Sequence, residues 1–324
     1  MYRNITVMNK KIVVIGGGHG QSAICRGIKY IENVDISAIV TVADDGGSTG
    51  RLRRQFHIPA MGDIRNVMIA LAGSETVLSN LMDYRFDDPD GSEEDVHGHN
   101  LGNLILTALT QQSGSFLEAV RTIEQVLNVK GKIIPATTQV ITLFALMEDD
   151  VIVKGEANIP TVSNRIRKVF YEEPVKASRE AVDAILEADL IIYGIGSVFT
   201  SILPNVIIPE LTEALQQTSA RKVYFCNAMT QVGETDGFDV EAHVAALNRH
   251  GAPVDEVIVA NNQIPEYILE RYRKEGSSAV RLSDDRHDYK VVKMDLLNFD
   301  GGLGRHDSVK IKHAVEYLLQ EIEA

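Results

Sequence analysis

The sequence predicts an α/β protein with an open, mostly parallel, Rossmann-like sheet and a small β-hairpin insertion. Short apolar runs that end in glycine, aspartate or asparagine alternate with segments of helical periodicity in both halves of the chain. The runs are rich in valine and isoleucine at successive positions, which is typical of parallel strands buried on both faces. Between the two halves, residues 132–175 contain two β-rich runs joined by Glu148–Asp150, which indicates a hairpin.

The first part of the chain predicts a strand, a turn, a helix and a second strand, in that order. "KIVVIGGG", from Lys11, is a strand with its glycine turn, and "HGQSAICRGIKYI" has apolar residues at helical spacing. "VDISAIVTVADD" is the second strand and ends at Asp44. A right-handed crossover places both strand ends at the same edge of the sheet. Further helices are predicted near Ile64 with Asp63 as N-cap, near Leu101, and over residues 115–128.

The α/β alternation returns after the insertion. The predicted elements are a helix in "SREAVDAILEA", a strand in "DLIIYGIG", a helix after Thr200, a strand in "KVYFCN", a helix over residues 239–249 and a strand in "EVIVAN". The chain is therefore divided into residues 1–131 and 176–324, which form the two parts of one Rossmann-like domain, and residues 132–175, which form the hairpin insertion.

The composition excludes several classes of protein. The 324 residues are 44% apolar and 24% charged, and no uncharged apolar stretch of about 18 residues occurs, so no membrane insertion is expected. The formal net charge of −13 argues against nucleic-acid binding, because phosphate backbones require a basic face. Cys25 and Cys226 give no disulfide framework, and the N-terminus lacks the apolar core of a secretory signal. A cytoplasmic protein is expected.

The stretch "VTVADDGGSTGRLRR" combines acidic, glycine and basic residues at the end of the second strand. Asp44 and Asp45 are suited to hold a ribose hydroxyl or, through Mg²⁺, phosphate oxygens. Gly46 and Gly47 would let backbone amides approach a ligand, and Arg51 suits phosphate. The alternative is ordinary turn chemistry, for which aspartate and glycine are common residues.

The first glycine loop predicts phosphate binding at the start of the following helix. Its candidate residues are Gly17, Gly18 and Gly20, whose amides would face a phosphate at a helix N-terminus. Gln21 stands where the G-x-G-x-x-G dinucleotide fingerprint requires a third glycine, so that fingerprint is not met. A tight turn without a ligand is the alternative.

Later segments add polar residues to the predicted nucleotide site. "GDIRN" supplies Arg65 for phosphate, and it supplies Asp63, which together with Asp45 is a candidate Mg²⁺ ligand if phosphate chemistry occurs. His97 and His99 lack further ligands at zinc spacing, so zinc is not expected. For serine and threonine at a helix start, capping is the alternative to ligand contact. The remaining candidates for nucleotide or phosphate contact are Asn100, Asn103, Gly196, Ser197, Thr200, Asn227 and Thr230.

Five motifs follow one another over essentially the whole chain: "TVADDGGSTGRLRR", "PAMGDIRN", "GHNLGN", "GSVFTSILPN" and "NAMTQVGET". Together they resemble the YvcK-like gluconeogenesis factor family, whose broader superfamily includes 2-phospho-L-lactate transferase. The resemblance implies an open α/β fold with a nucleotide site at the strand ends. It also implies binding of UDP-sugars such as UDP-N-acetylglucosamine, and roles in growth on gluconeogenic carbon sources and in cell-wall morphology.

The chain departs from this family pattern at two positions. His19 stands where the family usually has threonine, and Ile195 replaces the proline of a "GPGS" loop. The proline would stiffen its loop, and a histidine changes the contacts available to phosphate. The site is expected to be kept, and its ligand preference is left open.

Three functions follow as hypotheses. In the favoured one, a regulatory protein binds a UDP-sugar: glycine-loop amides approach the diphosphate, Arg51 or Arg65 neutralises it, and Asn227 or Thr230 contacts uracil or sugar. The first alternative is a Mg²⁺-dependent phospholactate-type transferase that uses a nucleoside-diphosphate-like donor, with Asp44 as base. The second is an NAD-type dinucleotide binder, which the missing third glycine disfavours. A homodimer is the default expectation, and no protein partner can be identified.

Overall fold

The computed structural model describes residues 9–73, 77–87, 95–284 and 286–323. It confirms the predicted fold class, because a seven-stranded parallel sheet is flanked by helices and a small antiparallel sheet is attached to it. Residues 1–8, on which the expectation about a secretory signal rests, lie outside the described residues.

The described elements follow one another in an α/β order at both ends of the chain. The strands are β1 (Lys10–Gly16), β2 (Val34–Val40), β3 (Lys132–Pro135), β4 (Leu143–Met147), β5 (Ile152–Lys154), β6 (Ile166–Tyr171), β7 (Leu190–Tyr193), β8 (Arg221–Phe225), β9 (Glu256–Ala260), β10 (Lys290–Met294), β11 (Leu297–Asn298) and β12 (Arg305–His306). The helices are α1 (Gly18–Ile28), α2 (Gly47–Phe56), α3 (Gly62–Leu71), α4 (Val77–Asp83), α5 (Leu101–Ser113), α6 (Phe116–Val126), α7 (Arg179–Leu186), α8 (Leu203–Val206), α9 (Pro209–Gln217), α10 (Val240–Arg249), α11 (Glu266–Lys274) and α12 (Ser308–Glu323). Two 3₁₀ turns (Glu156–Thr161 and Asp300–Gly302) and a π-helical turn (Val198–Ile202) complete the set.

The large sheet has the strand order β10-β9-β8-β7-β1-β2-β3, and all its neighbouring pairs are parallel. Ile12–Ile15 in β1 are at most 1% exposed, as expected for a central strand with helices on its faces. From β1 the chain winds outward through β2 and β3, and from β7 it winds outward in the other direction. The loops after β1 and β7 therefore diverge at a switch point, where open α/β sheets commonly bind ligands.

The insertion contains the predicted hairpin and one strand more. β4 and β5 pair in antiparallel fashion, as predicted, and β6 pairs with the other edge of β4. β6 was not among the predicted strands, although the isoleucine, valine and aromatic residues of "IRKVFY" are typical of a strand. β3 joins β2 at the edge of the large sheet. The division of the chain at residues 1–131, 132–175 and 176–324 stays a prediction.

Local structure differs from the prediction at three helix starts. The stretch "GGSTGRLRR" forms most of α2, which was not predicted. The prediction that Asp63 caps α3 is wrong, because the helix begins at Gly62, two residues before the predicted start at Ile64, with Met61 at the N-cap and no side-chain cap. The helix predicted after Thr200 is preceded by the π turn at Val198, which the Ser197 side chain caps.

The helices that follow this π turn belong to the core of the fold. Leu203, Val206 and Leu215 are fully buried there. Among the described residues no single helix has the length and hydropathy needed to span a membrane. One bent pair, Val198–Val206 with Pro209–Gln217, meets that criterion only when its two segments are taken together across a 79° bend.

Candidate functional site

Two glycine loops meet at the switch point of the sheet. Gly17 and Gly18 follow β1, and Gly196 lies in the loop after β7. The two loops are so close that a Cβ on Gly196 would lie 3.8 Å from the Gly17 carbonyl oxygen. A Cβ on Gly20 would collide with the Ile195 carbonyl, so α1 rests directly on the second loop. The structure therefore brings these predicted residues together, and their lack of side chains is what allows the approach.

Gln21, at the position of the missing third glycine, is fully buried. Its amide Nε2 donates hydrogen bonds of 2.9 Å to the carbonyls of Val14 and Ile39, in β1 and β2. A side chain thus holds α1 at the place where the dinucleotide fingerprint uses glycine for close helix–strand packing. This loop is built differently from a typical NAD loop.

A cleft with a volume of about 340 Å³ opens beside the first loop. Asp44, Asp63 and Glu156 line it, so carboxyl groups from the end of β2, the start of α3 and the insertion face one space. Of the other predicted site residues, Gly46, Gly47, Arg65 and Asn103 also line the cleft, and so does His19. We call this space the acidic cleft.

Burial and mutual repulsion favour the protonated forms of these carboxyl groups. The pKa of Asp63 is raised to about 7 by burial and by the neighbouring Asp44. The pKa of Glu156 is raised to about 8 by burial and then by Asp44 and Asp63. Burial also raises the pKa of Asp44, although the Gly46 N–H donates to its carboxylate over 2.9 Å and the Thr49 hydroxyl donates as well. A bound cation or hydrogen-bond donor would favour their charged forms.

Arg65 is the buried cation of the acidic cleft, with 6% of its surface exposed. Its Nη2 donates to Asn66 Oδ1 over 2.5 Å and its Nη1 to Asn103 Oδ1 over 3.3 Å. Its Nε is buried and has no hydrogen-bond partner within the described part of the chain. Because an unpaired buried donor is costly, this N–H is suited to an anion bound in the cleft.

Asp45 holds the insertion in place. Its Oδ1 accepts the Ala157 N–H over 2.9 Å, and its Oδ2 accepts the Glu156 N–H over 3.2 Å. These bonds cap the first 3₁₀ turn and thereby position Glu156 in the acidic cleft. Asp45 is not in the described lining of the acidic cleft, and its role as a metal ligand stays a prediction.

The acidic cleft itself offers other oxygen ligands. Mg²⁺ is commonly held by one or two carboxylates together with water and phosphate oxygens, and Asp63 with Asp44 could supply that number. No group of three or more histidine, cysteine, aspartate or glutamate side chains is arranged to hold a metal ion in residues 9–73, 77–87, 95–284 and 286–323. An Mg²⁺ ion held by Asp44 and Asp63 would take its remaining ligands from water and phosphate oxygens.

A second cavity, with a volume of about 620 Å³, lies at the carboxyl ends of β8 and β9. We call it the amide cavity. Asn227 connects it to the glycine loops, because its Nδ2 donates to the Gly196 carbonyl over 2.9 Å and its Oδ1 accepts the Gly196 N–H over 3.3 Å. Several aliphatic side chains make its wall apolar, and Arg281 and Lys293 are exposed at its rim. The amide side chains that line it are Asn227, Asn261, Asn262 and Gln263.

Thr230, for which ligand contact stays a prediction, lies next to the amide cavity and is hydrogen-bonded to Ser277 and Ser278. Its Oγ1 accepts the Ser278 N–H over 2.9 Å, and its own N–H donates to the Ser278 carbonyl over 2.7 Å. The Ser277 hydroxyl donates to the Thr230 carbonyl over 2.6 Å. These bonds hold the chain just before Arg281 and Leu282, two residues that line the cavity.

Ser197 and Thr200 order the loop after β7 around a buried acid. The Ser197 hydroxyl donates to the Glu234 carboxylate and accepts the Thr200 N–H over 2.9 Å. The Thr200 hydroxyl donates to the same carboxylate over 3.3 Å. Burial raises the pKa of Glu234, and these bonds oppose the rise. Helix capping, the alternative considered for these hydroxyl residues, is the role that Ser197 performs here.

Arg51 and Asn100 support the framework next to the acidic cleft. Arg51 Nη2 donates to the His97 carbonyl over 2.7 Å. Asn100 caps α5 by accepting the Asn103 N–H over 3.1 Å, and its Nδ2 donates to the Asp83 carbonyl over 3.1 Å. Within the described residues, neither side chain belongs to the lining of the acidic cleft or of the amide cavity.

Sequence reasoning did not select several residues that the structure places at the site. Ser48 and Thr49 line the acidic cleft and lie inside a motif already singled out, so a signal for them was present. Glu156 and Arg85 also line the cleft but lie in segments without a motif. Glu234 lies in "NAMTQVGET", where sequence alone does not separate a buried acid from an exposed one.

Comparison with known proteins agrees with this fold and motif order. A family model described as 2-phospho-L-lactate transferase CofD matches residues 12–297. The gluconeogenesis factor of Bacillus subtilis (strain 168) is 42% identical over 317 residues, covering 96% of this chain and 98% of that protein. The gluconeogenesis factor of Halalkalibacterium halodurans is 42% identical over 315 residues, covering 94% and 95%.

A solved structure is similar over nearly the whole chain. The crystal structure of a Bacillus halodurans protein superimposes with a TM-score of 0.90 at 40% identity, and the match covers 95% of this chain and 99% of that one. The sequence resemblance is thereby confirmed. The chain belongs to the 2-phospho-L-lactate transferase CofD family and, within it, to the gluconeogenesis factors.

Proposed function

We propose that this protein binds a nucleotide sugar of the UDP-N-acetylglucosamine type and acts as a regulatory factor in gluconeogenic carbon metabolism and cell-wall morphogenesis. The name of its relatives, gluconeogenesis factor, supports the metabolic part of the proposal. The family resemblance is the basis for the cell-wall part. Cys25 and Cys226 are both free thiols, which suits a reducing cytoplasm as the place of action.

One observation carries the binding proposal: two cavities of different chemistry flank the glycine loops at the switch point. The amide cavity combines aliphatic walls with Asn261 and Gln263, which can donate to and accept from the edge of a planar base. Neither Asn261 nor Gln263 makes a side-chain hydrogen bond to another described residue that would occupy its amide. We assign the base to this cavity.

The diphosphate and the sugar would occupy the other side of the loops. The glycine loop lies at the start of α1, where a helix N-terminus suits an anionic group; the Gly18 N–H donates to the Asp63 carboxylate, which leaves the Gly17 amide for a phosphate. The buried Nε of Arg65 adds a charged donor. Asp63, whose carboxylate lies against Gly17 and Gly18, and Asp44 would accept hydrogen bonds from sugar hydroxyls or hold Mg²⁺ against the phosphates.

Titration calorimetry with UDP-N-acetylglucosamine, with and without Mg²⁺, tests the proposal. A binder gives saturating heats that return to baseline after each injection. The variant Asn261→Ala should weaken binding of UDP as well as of the nucleotide sugar, because its side chain is assigned to the base. Asn248→Ala, on the exposed part of α10, is the matched control. Absence of any heat at millimolar ligand would overturn the assignment.

A transferase is the second candidate, and Asp63 favours it. A carboxyl group with a pKa of about 7 can accept a proton near neutral pH. An acceptor hydroxyl would attack phosphorus, the bond from phosphorus to the leaving nucleotide oxygen would break, and the hydroxyl proton would pass to Asp63. Release of free nucleotide, followed by chromatography, separates this function from binding. Asp63→Asn should abolish that release if the transferase reading is correct.

A further inference from the structure

The three-stranded sheet of the insertion has apolar residues on both faces. In β4, the run "LFALM" is apolar at every position, and Leu143, Ala145 and Met147 are fully buried on the inner face. A small antiparallel sheet with one face in water normally alternates apolar and polar residues. The outer face of this sheet therefore departs from the pattern of a permanently solvated surface.

Six side chains form this outer face in two rows. The strand register places Lys154, Phe144 and Phe170 side by side, and it places Ile152, Leu146 and Lys168 side by side in the second row. Ile152 is 59% exposed, and the two lysines are exposed as well. We call these six residues the outer face of the insertion.

The lysines of the outer face lie over its aromatic rings. The Phe144 and Phe170 rings stack with centroids 5.6 Å apart. Lys154 Nζ lies 5.7 Å from the Phe144 centroid, and Lys168 Nζ lies 5.5 Å from the Phe170 centroid. Long lysine stems can cover apolar surface while their ammonium groups stay in water, which keeps such a face soluble when it is uncovered.

The charge of the outer face is opposite to that of the chain. It carries two lysines and no acidic residue, whereas the whole chain has a formal net charge of −13. The nearby acids Glu148 and Asp150 are paired with Arg167. If two copies of this face met, the lysines of one copy would face the lysines of the other, with no carboxylate to pair with them. Like charges across an interface disfavour association, so a second copy of this chain is not the expected partner.

We propose that the outer face of the insertion is a docking surface for another protein, which covers it with an amphipathic helix that carries two acidic side chains about two turns apart. Lys154 and Lys168 lie two strands apart across the sheet and two residues apart along the strand direction. In a regular sheet this places them about 12 Å apart. Carboxylates at positions i and i+7 or i+8 of a helix are about 11–12 Å apart on one face. Apolar residues between them would pack on Phe144, Leu146 and Ile152.

This docking surface is independent of the nucleotide assignment, and a photo-reactive side chain tests it directly. Ile152 of the full-length chain is replaced by p-benzoylphenylalanine in cells that make the protein, and covalent adducts are sequenced after illumination. The expected adduct joins position 152 to a helical segment of a different protein with two acidic residues at that spacing. The same replacement at Val309, which is 62% exposed on α12, is the control position.

Charge reversal makes the test decisive. Lys154→Glu with Lys168→Glu should lower adduct yield at least about tenfold, because like charges would then meet. Lys176→Glu with Lys274→Glu, which reverses two other exposed lysines, should leave the yield unchanged. If the first pair lowers the melting temperature, Lys154→Gln with Lys168→Gln replaces it. Adducts only with a second copy, adducts with nucleic acid, adducts that survive the reversal, or no adduct would each overturn the proposal.

Discussion

The acidic cleft and the amide cavity lie on either side of the same glycine loops but are built in different ways. In the acidic cleft, Arg65 and Asp44 take part in hydrogen bonds within the protein, and the carboxyl groups repel one another. In the amide cavity, Asn261 and Gln263 form no side-chain hydrogen bond within the described residues, and bonds between Thr230 and Ser278 hold the segment that leads into the lining. Substitutions in the cleft should therefore affect stability and binding together, whereas substitutions of Asn261 or Gln263 in the cavity should affect binding alone.

The largest expected effect lies between the two regions, where the loops touch. Gly20→Ala would drive a Cβ into the Ile195 carbonyl, a main-chain group that cannot turn aside. We expect a loss of at least about 3 kcal/mol in the free energy of unfolding, measured by chemical denaturation. Gly46→Ala is the control, because its Cβ would make an ordinary 3.5 Å contact with Ala157. Equal stability of the two variants would show that the loops are not in close contact.

Arg65→Lys tests the acidic cleft. The charge is kept, but the Nε donor and the bonds to Asn66 and Asn103 are lost. We expect nucleotide-sugar affinity to fall about 30- to 100-fold, with a lower melting temperature. Arg54→Lys, on the exposed side of α2, should change neither quantity. Unaltered affinity in Arg65→Lys would remove Arg65 from the phosphate assignment.

Gln263→Ala tests the amide cavity and should have a smaller effect. Its side chain lines the cavity and contributes no bond to the fold, so we expect about a tenfold loss of affinity with an unchanged melting temperature. Gln217→Ala, at the exposed end of α9, is the matched control. A drop in melting temperature without a loss of affinity would contradict the contrast between the two regions.

The last prediction concerns the dependence of stability on pH. The pKa of Glu156 is raised to about 8 in the fold, against about 4.5 in an unfolded chain. The folded state therefore binds the proton more tightly, and the stability due to this group is complete below pH 4.5 and is lost as pH rises through 8. Asp63, with a pKa of about 7, acts in the same direction.

Glu156→Gln removes one of these titrations. Melting temperatures measured from pH 5 to pH 8 should fall less steeply for this variant than for the unmodified chain. Glu173→Gln, at an exposed glutamate, should follow the unmodified chain. If Glu156→Gln also follows it, Glu156 is not held among the carboxyl groups of the cleft.

Much of the fold could be predicted because its signals are local. The apolar runs at Lys11 and in "DLIIY", and the glycines that end them, identify parallel strands and loops without any tertiary information. The start of α5 near Leu101 was correct for the same reason, since Asn100 is a good cap. α2 was missed because its first residues, glycine, serine and threonine, are weak helix formers.

The candidate site was less predictable, because the role of a side chain depends on its partners. Asp44 and Asp45 are neighbours in a strand-end loop, yet one lines the acidic cleft and the other binds the insertion. Ser197 and Thr200 read equally well as ligand contacts or caps until Glu234 is placed beside them. No local pattern distinguishes these cases.

By itself, the sequence determined the α/β alternation of the sheet as far as β9, the glycine loops at the strand ends and the family of the chain. These properties depend on residue type and spacing along a short stretch. Tertiary structure decided which carboxyl groups face the acidic cleft and which are used in the fold. Ala157 bonds to Asp45 from 112 residues away, and only folding brings such groups together, so their burial, their pKa and their availability to a ligand are set by long-range packing.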